Sequence, residues 1–160
     1  MTNTLDEALG LAKGPLSRLV LQYSFVMRDL VVQAKDPAFT ASDWAPLAEY
    51  VAIDEFERIG NFRERVSWSQ YDDLLTMWGK VTEWDFTVER VTEGDGYAIL
   101  ELEESAKYLD REEIYSSVSV YEFNSANKLR KLKIYLSKAE ALGAAQAHSW
   151  DWQEVSAEIV

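Results

Sequence analysis

The chain has 160 residues, no cysteine, one histidine and a formal net charge of −12. The missing cysteines exclude disulfides, thiolate nucleophiles and cysteine metal sites. The negative charge disfavours nucleic acid and anionic membranes as partners, because it would repel their phosphates. His148 alone cannot build a histidine-rich site, so only carboxylate metal sites stay open, and we expect neither a metal nor a cofactor.

The N-terminal residues, MTNTLDEALGLAKG, lack the basic and apolar regions of a signal peptide. No stretch of the chain approaches the roughly 18 consecutive apolar residues that a membrane helix needs. We therefore expect a cytoplasmic protein that does not contact a membrane.

The length predicts one domain over residues 1–160, because domains usually hold about 100–200 residues. Its core is expected at about 15–138. The tail, residues 139–160, contains Trp150 and Trp152, which are costly to leave in water. We expect this tail to dock on the body of the protein or on a partner.

Three helices are predicted in the N-terminal half. Residues 15–35 begin with a proline, which suits a first helical turn, and continue with apolar side chains at three- and four-residue steps. Residues 42–49 form a short second helix. Ser67 or Ser69 caps a third helix over residues 68–79.

Strands make up most of the remaining pattern. Alternating side chains over residues 50–58 predict a first strand, and residues 82–92 and 97–108 flank the turn sequence EGDG as a hairpin. A second hairpin spans residues 113–136 around the polar turn NSAN. Helices followed by an antiparallel meander predict an α+β fold.

The second hairpin raises the question of which side of its first strand faces inward. Ser117, Ser119 and Tyr121 share one side, and Val118 and Val120 share the other. If the hydroxyl side faces inward, it lines a ligand cavity. The alternative is an ordinary sheet face with its serines in solvent.

This order of elements resembles the nuclear transport factor 2-like superfamily, and within it uncharacterised SnoaL-like bacterial proteins. The resemblance covers roughly residues 15–138. It rests most on EYVAIDEFERIGNFRERVSWSQYDDLL, in which a strand, a glycine loop and a capped helix follow in order, and on the last hairpin, VYEFNSANKLRKLKIYL.

The resemblance implies a cone-shaped, curved, mostly antiparallel sheet wrapped around three N-terminal helices, a cystatin-like α+β barrel. It implies that Ser119 and Arg58 stand where ketosteroid isomerase carries its two catalytic aspartates, which argues against the isomerase reaction here. It also implies a homodimer formed through the outer face of the sheet. That face would offer apolar and charged side chains: Ile114, Val118, Val120, Tyr135, Glu101, Glu103, Lys131 and Lys133.

Asp54, Arg58 and Glu104 are the candidate catalytic residues. Asp54 and Arg58 alternate onto one face of the first predicted strand with Phe56, so they would point into the cone and pair, with Asp29 or Glu104 as other partners for the guanidinium. The alternative is an ion pair at the rim, worth little. Glu104 ends an apolar stripe, and we prefer a place at the solvent-exposed mouth over a buried place with a raised pKa.

The candidate ligand-binding residues are Tyr23, Met27, Phe56, Trp84, Phe86, Ser117, Ser119 and Tyr121. Core packing is the competing interpretation for Tyr23 and Met27, and Trp84 and Phe86 are either core or pocket wall. This set predicts a pocket for a small, mostly apolar molecule. Two functions stay open, a cofactor-independent lyase, isomerase or hydrolase, and a non-catalytic binding or assembly module.

Overall fold

A computed structural model describes residues 3–138. The expectations for His148 and for the tail with Trp150 and Trp152 lie outside these residues. The helices are α1 (Leu5–Leu9), α2 (Pro15–Gln33), α3 (Ala45–Ala48) and α4 (Trp68–Val81), with a 3-10 turn at Ala41–Trp44. The strands are β1 (Glu57–Ile59), β2 (Arg65–Val66), β3 (Thr82–Gly94), β4 (Tyr97–Tyr108), β5 (Arg111–Phe123) and β6 (Leu129–Lys138).

Helix α2 confirms the first predicted helix and packs its apolar face against the sheet. A carboxylate from β3 holds its N-terminus. Glu93 accepts hydrogen bonds from the backbone N–H groups of Leu16 (3.3 Å) and Ser17 (2.8 Å), and from the Ser17 hydroxyl (2.7 Å). Negative charge is favourable there, because the first N–H groups of a helix have no partner inside it.

The other two predicted helices are also present. Ser67 caps α4, since its hydroxyl accepts from the Gln70 backbone N–H and the Gln70 side chain accepts from the Ser67 N–H. The predicted second helix is a 3-10 turn that leads directly into α3. Trp44, at the end of this turn, is 1% exposed and donates from Nε1 to the Thr76 hydroxyl on α4 (2.9 Å).

The six strands form one mixed sheet in the order β2-β1-β6-β5-β4-β3, which confirms the predicted α+β class. Strands β3 to β6 are antiparallel neighbours, whereas β1 runs parallel to β6. The sheet is not closed, because the outer strands β2 and β3 do not pair with one another.

The predicted first strand at residues 50–58 is wrong over most of its length. Only a single bridge, from Val51 to Leu129, forms before the chain turns at residues 53–55, and pairing resumes at Glu57. The alternation of apolar and polar side chains continued across this turn and concealed it. Asp54 lies in the turn and is exposed.

Two short elements escaped the sequence analysis. Helix α1 has a capping box, in which the Thr4 hydroxyl accepts from the Glu7 backbone N–H and the Glu7 side chain accepts from the Thr4 N–H. Strand β2 forms a hairpin with β1. None of the helices within residues 3–138 is long and apolar enough to span a membrane.

The hydroxyl side of β5 faces the protein interior. Ser117, Ser119 and Tyr121 are 3%, 6% and 6% exposed, whereas Val118 on the other side is 39% exposed. The helices cover this inner face, so the large buried side chains and the buried serines share one interior.

Candidate functional site

A cavity of about 330 Å³ lies between the inner face of the sheet and helices α2 and α4. Shallower and more open grooves run beside α2 on the outer surface. The wall of the cavity combines aromatic rings, aliphatic chains, five tyrosines, three serines and charged groups. Its main members are Tyr23, Ser24, Met27, Arg58, Tyr71, Trp78, Trp84, Leu102, Glu104, Tyr108, Glu113, Tyr115, Ser117, Ser119, Tyr121, Leu132, Ile134 and Leu136.

Strand register sets the order of the groups along the cavity. Glu104 on β4 pairs with Tyr115 on β5, and two residues further along β5 Ser117 pairs with Leu136 on β6. At the other end Tyr121 pairs with Leu132, which pairs with Arg58 on β1. Alternate residues of adjacent strands share one face, so these rows all point inward.

Glu104 is buried at one end of the cavity, with 8% of its surface exposed. Its Oε1 accepts a hydrogen bond from Trp84 Nε1 at 2.7 Å. Burial raises the pKa of its carboxyl group, and the nearby Ser117 hydroxyl and the Trp84 N–H oppose this only in part. Among residues 3–138 it has no ion-pair partner. The expected position of Glu104 at a solvent-exposed mouth is therefore wrong.

Arg58 occupies the other end. Its side chain is 19% exposed, and its guanidinium carbon lies 5.2 Å from the centre of the Tyr71 ring. Its ion-pair partner is Glu64 on the β1–β2 loop, at 3.4 Å from Nη1. The predicted partners were Asp54, Asp29 and Glu104, and this expectation is wrong, because the turn at residues 53–55 removes Asp54 from the inner face and Asp29 is exposed.

Three tyrosines surround the Arg58 end. The Tyr23 ring packs edge-on against Tyr121 at 5.9 Å, and Tyr71 stacks on Phe56 behind it. Burial raises the pKa of the Tyr23, Tyr71 and Tyr121 hydroxyls, and for Tyr71 the Arg58 charge counteracts part of that rise. These hydroxyls are therefore neutral hydrogen-bond donors and not bases near neutral pH.

Arg58 and Glu104 do not form a pair. Their rows are six residues apart along β5, which corresponds to ~20 Å of extended strand between the backbones. The two long side chains narrow this gap, since the charges of both groups affect the pKa of Tyr71. The predicted catalytic trio is thus dispersed, with Asp54 outside the cavity and the other two members at opposite ends. A ligand would have to extend along the cavity to contact both charged groups.

Of the predicted ligand-binding residues, six line the cavity, namely Tyr23, Met27, Trp84, Ser117, Ser119 and Tyr121. The other two belong to the core. Phe86 is 1% exposed between Phe25 and Trp84, and Phe56 packs behind the wall against Trp68 and Tyr71.

The sequence analysis missed Tyr71, Trp78 and Tyr108 as cavity residues. Tyr71 and Trp78 lie seven residues apart on one side of α4, and helical spacing does not separate core from cavity wall. Tyr108 ends β4, and its hydroxyl accepts from Trp78 Nε1 at 3.2 Å. That contact joins residues 30 positions apart and has no local signal in the sequence.

Three cavity residues carry a buried polar atom without a hydrogen-bond partner in the described part of the chain. These atoms are Tyr23 Oη, Arg58 Nε and Ser117 Oγ, and the remaining atom of this kind in residues 3–138, Thr82 Oγ1, lies outside the cavity. Buried polar groups are almost always satisfied, so their concentration here indicates a wall built to face polar atoms.

No protein-family model and no curated protein matches the chain at the sequence level. Solved structures do match. A protein from Shewanella putrefaciens described as a SnoaL-like polyketide cyclase superposes with a TM-score of 0.59 at 10% identity, over 85% of this chain and 90% of its own. An NTF2-like protein of unknown function from Cytophaga hutchinsonii gives 0.55 at 9% identity, over 79% and 93% of the two chains. The chain has the NTF2-like fold.

A further structure with the NTF2-like fold is an LEH-like epoxide hydrolase from M. tuberculosis, with a TM-score of 0.52 at 12% identity over 69% of this chain and 83% of its own. At such identities the likeness concerns the fold alone, and neighbours with different chemistry share it. Ser119 and Arg58, which the sequence resemblance placed at the positions of the isomerase aspartates, both line the cavity. The chemistry of the site must be argued from its own residues.

Proposed function

We propose that the cavity binds a small, mainly apolar molecule with an oxygen acceptor, and that Glu104 donates a proton to that acceptor in a cofactor-independent reaction. The observation that carries this proposal is a carboxyl group buried among aromatic rings, with a neutral tryptophan N–H as its hydrogen-bond donor. Such a carboxyl group keeps its proton to higher pH than one in water, and a protonated carboxyl group is a general acid.

The rest of the wall suits the same kind of molecule. Apolar side chains such as Leu102 and Leu132 supply contact area, and the buried tyrosines supply neutral donors that fix orientation. A volume of about 330 Å³ is at the low end of the range of ligand pockets, roughly 300–1,000 Å³, and favours a ligand of one or two rings. The reaction would be an isomerisation, an elimination or a hydration, in which Glu104 gives its proton to the ligand oxygen and the carboxylate so formed takes the proton that the ligand or the added water loses.

Non-catalytic binding is the second candidate, and one observation favours it. The tyrosines of the cavity are poor bases and a guanidinium has no acceptor atom, so neither of them supplies a base beside Glu104. Acid–base catalysis of most reactions needs two groups or one group that returns the same proton.

Simple aromatic ketones separate these possibilities. Ligand-observed NMR with acetophenone should detect binding, and exchange of its α-protons in D₂O reports catalysed proton transfer. Binding with accelerated exchange that Glu104→Gln abolishes supports the enzyme, whereas binding without exchange supports the second candidate. A wild-type protein that binds no member of a ketone and enone panel would contradict both.

Two serines of β5 provide a matched control. Ser117→Leu fills the cavity and should abolish binding, whereas Ser116→Leu places the same side chain on the exposed face and should leave binding unchanged. Equal loss in both variants would mean that the cavity is not the binding site.

A further inference from the structure

We propose that the ligand of this cavity is a carboxylate, held at the end opposite Glu104 by Arg58 and Tyr23. This inference rests on the proposed function and adds the chemical class of the ligand, an aromatic or alicyclic acid with a second oxygen function. Its carboxylate would bind the guanidinium while the second oxygen reaches Glu104.

The guanidinium is only partly used by the protein. A guanidinium has five N–H donors in a planar fork that fits the two oxygens of a carboxylate. Within residues 3–138 the Arg58 group has one ion pair, from Nη1 to a single oxygen of Glu64 at 3.4 Å, and its buried Nε has no acceptor. A second acceptor can therefore bind Arg58 on the cavity side.

The loop between β1 and β2 fixes Glu64 on the other side of the guanidinium. Glu64 Oε2 accepts from the Phe62 backbone N–H at 2.9 Å, and the Gly60 N–H donates to the Glu64 carbonyl at 3.0 Å. The carboxylate packs so closely on Gly60 that a Cβ there would lie 1.6 Å from Glu64 Oε1. Glu64 is also 43% exposed, so water screens its attraction for Arg58.

Tyr23 supplies a second donor at the same end. Its hydroxyl is buried beside Tyr71 and Arg58, which both affect its pKa, and it makes no hydrogen bond of regular geometry within the described residues. Arg58 reaches this region because it continues the row of Tyr121 and Leu132 across three strands. A carboxylate offers two oxygens to the guanidinium and the Tyr23 side chain, which both line this end of the cavity, whereas a ketone offers one.

Burial makes an anionic ligand favourable despite the negative charge of the whole chain. A guanidinium that is removed from water loses hydration, and an anion paired with it offsets that loss. Glu64, whose side chain is 43% exposed, offsets only part of the loss for Arg58. The acids that produce the net charge of −12 are spread over the chain, and charges beyond about 8–10 Å are largely screened at physiological salt.

A pair of isosteric ligands tests the inference, 4-acetylbenzoate and 4-acetylbenzamide. Both carry the ketone proposed to meet Glu104, and at pH 7 they differ by one negative charge. Calorimetric titration of the wild-type protein should give an affinity roughly tenfold higher for the acid. In Arg58→Met this advantage should disappear while the affinity for the amide changes less than about twofold. Arg65→Met, an exposed arginine on β2, should behave as wild type.

The outcomes separate the two proposals. Equal affinities of the wild-type protein for acid and amide would overturn the carboxylate inference and leave the cavity as a binding site. An acid preference that survives in Arg58→Met would overturn it as well. If neither compound nor acetophenone binds, the proposed function fails. Should Arg58→Met not fold, Tyr23→Phe replaces it, with a loss of about half or more of the acid's advantage as the expected result.

Discussion

Glu104 combines a buried carboxyl group with a neutral hydrogen-bond donor, and this combination has a consequence for stability. Because burial raises its pKa in the folded protein, the folded state keeps the proton at pH values where the unfolded chain has lost it. Ionisation in that range removes stability, by at most about 1.4 kcal/mol per pH unit for one proton. Glu104 therefore contributes its full stabilisation at pH values below the ordinary carboxyl pKa. This contribution declines as the pH rises through the raised pKa of Glu104 in the folded protein.

Glu104→Gln should abolish this decline. The amide keeps an acceptor for Trp84 and does not ionise, so the free energy of unfolding of the variant should fall less between pH 5 and pH 8 than that of the wild type. Urea unfolding at several pH values measures the difference. Glu103→Gln, on the exposed face of the same strand, is the control and should follow the wild-type profile. Parallel profiles for wild type and Glu104→Gln would show that Glu104 ionises as it does in water.

At the scale of elements, two buried serines distinguish structure from site. Ser17 is fully buried and ties the start of α2 to β3, accepting from the Lys13 and Gly14 N–H groups and donating to Glu93. Ser117 is 3% exposed on β5 near the Glu104 carboxyl group, and its hydroxyl makes no hydrogen bond of regular geometry within the described residues. The exposed fraction alone would not distinguish the structural serine, Ser17, from the cavity serine, Ser117.

Replacement of each serine by alanine should therefore give different results. Ser17→Ala leaves several N–H groups and a carboxylate short of a partner and should lower the free energy of unfolding by about 1–3 kcal/mol. Ser117→Ala removes an unsatisfied hydroxyl and should change it by less than about 0.5 kcal/mol. Denaturant titration of both variants measures this, and a large loss in Ser117→Ala would mean that its hydroxyl has a structural partner.

The elements that the sequence predicted well are those with a long regular pattern. Helix α2 carries five turns of apolar spacing. The β5–β6 hairpin alternates over most of its length on both sides of a polar turn, with one register shift beside the turn at Glu122 and Phe123. Helix α1 has five residues, too few for a period to be visible, although its capping box, Thr4 to Glu7, was a usable signal.

The first strand shows where such patterns fail. A turn at residues 53–55 shifts the backbone without interrupting the alternation, so the pairing of Asp54 with Arg58 looked reasonable and was wrong. The cavity was predicted only in outline for a related reason. Alternation identified its β5 wall, but the contact between Trp78 and Tyr108 and the burial of Glu104 depend on how α4 crosses the sheet. Sequence spacing within one element does not contain that information.

At the scale of the whole molecule, the helices within residues 3–138 leave the outer face of the sheet exposed. Val118 and Tyr135 are register partners on β5 and β6 and are 39% and 56% exposed. Ile114, which is 58% exposed, lies four residues before Val118 on the same face of β5. We propose that this apolar strip pairs with its copy in a homodimer, since isologous contacts are the commonest oligomer interface.

Sedimentation velocity at micromolar concentration tests the dimer. The wild-type chain should sediment as twice 18.3 kDa, and Val118→Lys should produce the monomer because it places a charge in the middle of the strip. Met77→Lys, another exposed apolar residue but on α4, should leave the dimer intact. A wild-type protein that is monomeric throughout would rule out this use of the outer face.

The same fold supports different chemistries. The proposed function depends on the claim that Glu104 is a protonated carboxyl group inside a ligand cavity. The affinity for acetophenone as a function of pH tests that claim most directly, because this ligand does not titrate. If Glu104 donates its proton to the ketone, the affinity of the wild type falls by up to about tenfold per pH unit above the pKa of Glu104, and Glu104→Gln shows no such fall. Undetectable binding, or the same pH profile in both proteins, would contradict the account.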